Sequence, residues 1–450
     1  MSGLCASSRV LLFLFLITPL FSSASSCPEG QTWNDRRGDC IEDPTSSFKK
    51  SKKIDIGSFK ITKPIGLFDA NARRDALNGD PELASLCFEH TQLTSLPASS
   101  VDVVGHGKTH YLLTQFPFTE ETGFIGEMLN GWLRNGNIEY LYELRAWLIA
   151  SSKAGSFSNL IPDTDRMYFS DTLFNLRYVL KPTFVAFDVL RQTKLLSLDE
   201  ERQILAWLRP IVKQSDMRGC EGTWRCIPDE HPAEHWTLHD YTTLMLWGAV
   251  SGSDYYFQRG VEFYIKSLRS LKHRAITPEY QKKKERGLRK QNELVGYLTL
   301  LAEIAAIQGY DLYNVSIRGR SLWTAFEFLQ DAIEKPSVAA RYGYKVQEKA
   351  FLDTSFHWDR TVAWFEILAT RFPSHPLVVR FAGNIGAERP MGGEAYGGDL
   401  SCYLGAAWPD SWSSTGPKSS AIKCKTSSGI VEVQTVGECK HHWLGKVLSD

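Results

Sequence analysis

Apolar residues recur three and four apart through most of this chain, the period of a helix that buries one face. Phe124-Ile125, Met128-Leu129 and Trp132-Leu133 show it, as do Tyr140-Leu141, Leu144 and Trp147-Leu148. Ile204-Leu205 and Leu208 continue the pattern, and further helical runs are expected over 171–193, 236–250, 254–271, 286–308, 320–334 and 356–372. Alternation with period two is almost absent until Ile430-Val431-Glu432-Val433 follows Gly429. Successive helices without intervening strands predict an all-α fold, either a bundle or a toroid of helical hairpins. A toroid leaves a groove at one end of its ring, which suits a long polymer. No repeat of fixed length stands out, which disfavours a regular solenoid.

The ends of the chain break this pattern. Arg9 precedes an apolar run over 10–21 that closes in Ser22-Ser23-Ala24-Ser25-Ser26, so residues 1–26 are expected to be a signal peptide. The run is short for a bilayer span, and the expected destination is secreted or periplasmic. Ala24-Ser25-Ser26-Cys27 is a weaker match to a lipoprotein cleavage box. Residues 27–64 then read as a cysteine-containing appendage, 65–405 as the helical domain and 406–450 as a disulfide-closed tail. Of the nine cysteines, loss of Cys5 with the signal leaves Cys27, Cys40, Cys87, Cys220, Cys226, Cys402, Cys424 and Cys439. An even number in an exported chain suggests disulfides. Cys27–Cys40, Cys220–Cys226 and Cys424–Cys439 are plausible local pairs, which leaves Cys87 and Cys402; spacing alone does not fix the connectivity. Asn314-Val315-Ser316 is a glycosylation sequon.

Composition narrows the partners. In 450 residues, 43% hydrophobic, there is material for one large core or two smaller ones. Lys+Arg and Asp+Glu are both 51, so global charge gives no reason to expect nucleic acid. The 13 Trp, 17 Tyr and 24 Phe suit a helical core, and some suit a carbohydrate cleft where flat rings pack on sugar C–H faces.

Two segments carry the chemistry. Residues 229–240, Asp-Glu-His-Pro-Ala-Glu-His-Trp-Thr-Leu-His-Asp, space His231, His235 and His239 four apart, on one helix face. His231-Pro-Ala-Glu234-His235 matches H-x-x-E-H, in which two imidazoles hold zinc and a carboxylate activates water. A third ligand is then needed, with Glu303 the nearest helical candidate, and Pro232 delays the helix so that His231 precedes it. The second segment is Lys282-Lys283-Lys284-Glu285-Arg286-Gly287-Leu288-Arg289-Lys290-Gln291-Asn292-Glu293. Arg286, Arg289 and Glu293 lie three and four apart. The run is either a solvated charged face or a guanidinium grip on a substrate carboxylate.

Several segments resemble the mannuronate-specific alginate lyases, a polysaccharide lyase family. The stretch 286–309, ending Leu301-Ala-Glu-Ile-Ala-Ala-Ile-Gln-Gly-Tyr-Asp-Leu312, is similar to that family's arginine-bearing helix and the loop after it. Glu234-His235 through Ala249-Val250 and Asp254 resembles its Asn-Asn-His-x-Tyr-Trp helix. Trp364-Phe-Glu366 and Gly397-Gly-Asp-Leu400 resemble its closing motifs, in the same order across roughly 95–405. The resemblance implies an incomplete (α/α) toroid, cleavage of an acidic, uronate-containing polysaccharide by β-elimination, and no cofactor or metal. It places the catalytic histidine on His235 and the carboxylate-gripping arginine on Arg286, and sets Lys108 at the position of a lid lysine. A monomer is expected.

Two positions depart from the family. Its asparagine beside the histidine is Glu234 here, and its proton-carrying tyrosine is Glu293, while Asn292 keeps the preceding amide. Removing the proton alpha to a uronate carboxylate requires that carboxylate to be neutralised. An ionised Glu234 opposes this unless it is protonated or paired with Arg286 or Arg289. Glu293, or Tyr297 one turn on, would carry the proton. Arg289 and Asn292 would contact substrate, with Trp236, Tyr241 and Trp132 as sugar platforms. Two carboxylates, Glu234 and Glu293, also suit a glycoside hydrolase on the same toroid. A catalytically silent carbohydrate-binding relative and a zinc peptidase complete the alternatives.

Overall fold

The computed structural model describes residues 31–34, 39–42, 54–88, 96, 103–104, 119–161, 169–216, 232–344, 346–352, 362–385, 389, 391–409, 412, 422–426, 429–433 and 446–447. Two compact units divide the chain, Met1–Lys50 and Ser51–Asp450. In the first, β1 (Gln31–Asn34) and β2 (Asp39–Glu42) pair antiparallel, Trp33 opposite Cys40.

The second unit is helical, in the order α1 (Ala70–Gly79), α2 (Thr119–Asn135), α3 (Glu139–Ala154), α4 (Phe169–Gln192), α5 (Leu198–Ser215), α6 (His235–Ser251), α7 (Asp254–Ser270), α8 (Gly287–Ile307) and α9 (Leu322–Glu334). Helices α2, α4, α6 and α8 pack side by side as an inner layer. Outside them, α3 packs on α2, α5 on α3 and α6, α7 on α6, and α9 on α8. This is an incomplete toroid of helical hairpins.

The layering follows from the sequence. Every residue of α6 from Thr237 to Val250 is buried, as is every residue of α8 from Gln291 to Ala305. A helix buried on all sides must find partners for its polar residues inside the protein, as Asp240 does in Arg177 and Asn292 in Trp364. Outer helices carry a wet face: α7 buries Phe257, Val261, Tyr264 and Leu268 and exposes Tyr255. Starts and stops are local chemistry, as where Ser197 and Glu200 form a capping box at the head of α5. Gly252, with φ 73°, ends α6 in the left-handed conformation.

Residues 54–64, expected in the N-terminal appendage, belong with the helical unit. Ile54, Ile56, Phe59 and Ile61 pack on its core, and the Ile61 and Thr62 backbone N–H groups donate to Asp254 (2.8 Å) and Gln308 (2.9 Å). At the other end, Gly392–Gly393 pairs antiparallel with Gly398–Asp399 and folds Tyr396 back onto α4. Gly397 and Gly398 have φ of 105° and 131°, which side-chain-bearing residues rarely adopt. Asp399 caps the short helix Leu400–Leu404 and accepts from Asn130 at 3.1 Å. The Gly-Gly-Asp-Leu motif is thus a turn and a cap.

Cys87 and Cys402, the pair left without local partners, form a disulfide across 315 residues of sequence. Cys27, Cys220, Cys226 and Cys439 lie outside the described residues, as does the expected signal peptide. The strand expected at 430–433 falls in Gly429–Val433, which joins Ile422–Thr426 and Lys446–Val447 in a three-stranded antiparallel sheet. Among the described residues no helix is long and apolar enough to cross a membrane.

Candidate active site

His235 is the first residue of α6, and its imidazole is held by a residue far along the chain. Nδ1 lies 3.0 and 2.9 Å from the two carboxylate oxygens of Glu279, and the His235 backbone N–H donates to Glu279 Oε2 at 2.7 Å. Glu279 in turn stands on a buried frame. Its N–H donates to Thr277 Oγ1 (3.3 Å), the Thr277 hydroxyl donates to the Ala233 carbonyl (3.0 Å), and the Thr277 N–H donates to Gln291 of α8 (2.9 Å). Burial, with the charges of Lys290, Lys283 and Arg289, holds the imidazole well below its ordinary pKa, against an opposite pull from Glu293. At neutral pH the ring is therefore uncharged. A carboxylate at Nδ1 fixes that nitrogen as the N–H donor, which puts the lone pair on Nε2.

Arg289, Glu293 and Tyr297 follow at four-residue steps along α8 and so share a face. Glu293 accepts from Lys290 Nζ at 2.7 Å and from Arg289 Nε at 3.2 Å. Burial opposes ionisation of Glu293, but the Lys290 ammonium and the Arg289 guanidinium outweigh it and hold the carboxyl below its usual range. Tyr297 lies between His239 and Tyr396, with ring centroids 5.4 and 5.7 Å away. Burial lifts its phenol well above the ordinary value, and Tyr178, Tyr396 and Glu293 add to the shift. Tyr178 of α4 is the half-buried member of this trio, its ring 4.7 Å from that of His239. Gly296 makes room for the cluster: a Cβ there would sit 2.3 Å from the Tyr396 hydroxyl.

Beneath these groups α4 contributes two buried cations. Arg177 forms an ion pair with Asp240 of α6 at 3.0 Å. Lys181 lies with its amine 5.7 Å from the Tyr297 ring centroid, and its Nζ has no hydrogen-bond partner among the described residues. Burial, with Arg177 nearby, pushes the Lys181 amine well below the ordinary lysine range, against the opposite pull of Asp240.

The structure brings His235, Arg289, Glu293 and Tyr297 into one electrostatically coupled cluster on α6 and α8. Arg286 is not in it. Its side chain is exposed at the N-cap of α8 and makes no hydrogen bond or ion pair among the described residues. Glu234 pairs with neither arginine; it accepts from Lys282 at 3.0 Å. Asn292 is buried and accepts from the Trp364 indole N–H at 3.2 Å, which gives it a packing role. Trp236 is half-buried, its ring edge-on to that of His235. Tyr241 and Trp132, the other expected sugar platforms, lie deeper. Tyr241 is buried, stacked on Phe263 with its hydroxyl on Arg259, and Trp132 lies in the core at 6% exposure.

Lys108 and His231 lie outside the described residues. Glu303, the proposed third zinc ligand, is engaged by Arg371 (2.5 and 2.6 Å) and by the Tyr313 hydroxyl (2.6 Å). Among the described residues no group of three or more His, Cys, Asp or Glu side chains is arranged to hold a metal ion. Glu366 of the Trp-Phe-Glu segment is fully buried and satisfied by Arg389 and Ser401. Glu279 was missed because nothing in its local pattern marks it. Tyr178 and Tyr396 were missed because an isolated tyrosine in a helix or a glycine-rich turn reads as packing.

No protein-family model matches the chain, and no curated protein matches it. Solved structures do. Alginate lyase A1-III from Sphingomonas species A1 is similar over 80% of this chain and 100% of its own, with TM-score 0.62 and 18% identity. Histidine-to-alanine and tyrosine-to-phenylalanine forms of A1-III, each complexed with tetrasaccharide, match with TM-score 0.63 over the same shares and at the same identity. An alginate lyase from Bacteroides ovatus is similar at 13% identity over 75% of this chain and 94% of its own, with TM-score 0.49. At these identities the likeness is one of fold.

Proposed function

We propose that the chain is an exported polysaccharide lyase that cleaves a uronate-containing polymer by β-elimination. The observation that carries this reading is the uncharged, carboxylate-held imidazole of His235 beside two cations, Arg289 and Lys290, and a set of phenols. That is the donor set elimination needs. Nε2 of His235 takes the proton alpha to the uronate carboxylate, whose charge is offset by the half-buried Arg289 guanidinium and the Lys290 ammonium. The electron pair left on that carbon forms the double bond as the neighbouring carbon–oxygen bond breaks. The departing oxygen takes a proton from a phenol of the Tyr178–Tyr297–Tyr396 cluster, in which burial lifts Tyr297 and Tyr396 well above the ordinary phenol value. No water is consumed.

Arg289 replaces Arg286 as the cation of choice, because it is coupled to His235, Tyr297 and Tyr396 whereas Arg286 stands at the exposed helix end. The hydrolytic alternative is less well supported. A general acid needs a raised pKa, and Glu293 is held low by Lys290 and Arg289 while Glu234 pairs with Lys282. The A1-III structures with tetrasaccharide supply the substrate class by analogy of fold.

The test is a panel of uronate polymers. The expected product carries an unsaturated, ultraviolet-absorbing uronate end, and Arg289→Ala lowers its formation far more than Lys284→Ala. New reducing ends without that absorbance mean hydrolysis. Retention on the polymers without either product means a binding protein.

A further inference from the structure

Helix α6 begins at a catalytic candidate yet lacks a cap of its own. Its N-cap residue, Glu234, makes no side-chain capping bond. The carboxylate that meets the first backbone N–H of the helix comes instead from Glu279, 44 residues away, and the same carboxylate closes on His235 Nδ1. We propose that Glu279 is the positioning residue of this site: seated on the helix N-terminus, it fixes His235 in the tautomer whose Nε2 faces the uronate. The inference rests on the lyase reading and adds to it the residue that gives the base its direction.

Three observations converge on it. The start of a helix carries partial positive charge and unsatisfied N–H groups, so a carboxylate that accepts from the first of them is held in place. The Thr277 hydroxyl, bridging the Glu279 N–H and the Ala233 carbonyl, ties the turn before Glu279 to the loop before α6. Gln291 then locks that turn to α8, because its side chain accepts from Thr277 N–H and donates to the Ala275 and Ala325 carbonyls at 3.2 and 3.1 Å. These contacts together set one imidazole, and the Glu279 carboxylate is buried and engaged at both oxygens by His235.

The charges around the ring decide what removing Glu279 does. Lys290 and Arg289 on α8 and Lys283 next to the turn disfavour imidazolium, and Glu293 favours it. Glu279 is a second anion, in direct contact, that also favours imidazolium. Without its charge the imidazole becomes a weaker base and is free to adopt the other tautomer.

The experiment compares the full chain with Glu279→Gln and Glu279→Asp. Gln keeps the size and can still accept from the His235 backbone N–H through its amide oxygen, but it removes the charge. The expected result is a fall in kcat on the order of 10²- to 10⁴-fold, with KM changed little and the acid limb of the kcat/KM profile moved to lower pH. Asp keeps the charge and is expected to retain more activity than Gln. Nitrogen-15 spectra of labelled histidine, assigned with a His235→Asn control, should show His235 protonated on Nδ1 in the parent. A Gln variant within about three-fold of the parent with an unmoved acid limb would overturn the proposal, as would a parent His235 protonated on Nε2. If Gln does not fold, the parent spectrum and the Asp variant still decide. If the parent eliminates no polymer, the lyase reading fails while the tautomer remains measured.

Discussion

His235 titrates where burial and three nearby cations all oppose protonation. A base must be unprotonated to work, so depression of its pKa extends activity toward acid. The acid limb of kcat/KM is therefore expected below 6.5, the ordinary histidine value. A pH–rate profile checks this, and a limb at or above 6.5 contradicts it. Stability follows the same sign. The folded pKa lies below the unfolded one, so the contribution of His235 is present above 6.5 and is lost as pH falls through the folded value. His239 behaves alike, since burial and the neighbouring Lys181 and Arg177 also lower it. Asp240 acts in the opposite direction: burial raises it from 3.8 to about 6, so its contribution is lost as pH rises through that window. At this scale the three-and-four spacing put Arg289 and Glu293 on one face, and the family resemblance pointed to Glu293 and to Tyr297 one turn on. Glu279 was illegible. Its relation to His235 depends on the turn at Thr277 and on Gln291, which no periodicity announces.

Between elements, close packing makes opposite predictions for two glycines. Gly248 of α6 lies against α7, and a Cβ there would meet the Phe257 backbone nitrogen at 2.3 Å. Backbone cannot swing aside, so Gly248→Ala is expected to destabilise by about 1–3 kcal/mol. Gly126 of α2 has nothing within 4 Å of an added Cβ. Gly126→Ala is expected to stabilise by about 0.5–1 kcal/mol by restricting the unfolded chain. Chemical denaturation of both variants checks the pair, and the same sign for both would contradict the packing described. The long inner helices were readable from their period, even through Pro182 inside α4. The end of the expected run 356–372 is the short helix Phe365–Arg371, and 353–361 lies outside the described residues. Residues 271–286 gave no helical period because they form short turns, and those turns bring Glu279 to His235.

For the whole molecule, the Cys87–Cys402 disulfide joins the first helices of the toroid to its last segment. Replacing both cysteines by serine should cost about 2–5 kcal/mol of stability while leaving the activity of the folded protein intact; a melting curve unchanged by the substitutions contradicts this. The unbroken run of helices made the all-α fold legible and left bundle or toroid open, the family resemblance implying the toroid; the site was legible only in part, because its parts come from α4, α6, α8, the turn at Glu279 and the turn at Tyr396. Whether that assembled site eliminates or hydrolyses is decided most directly by the mass of the products. Digestion of a uronate polymer in oxygen-18 water, read by mass spectrometry, should yield fragments whose new ends have taken up no solvent oxygen and are lighter by one water than hydrolytic ones. The same fragments should be absent with His235→Ala. Products carrying solvent oxygen, or undiminished elimination by His235→Ala, would contradict the account.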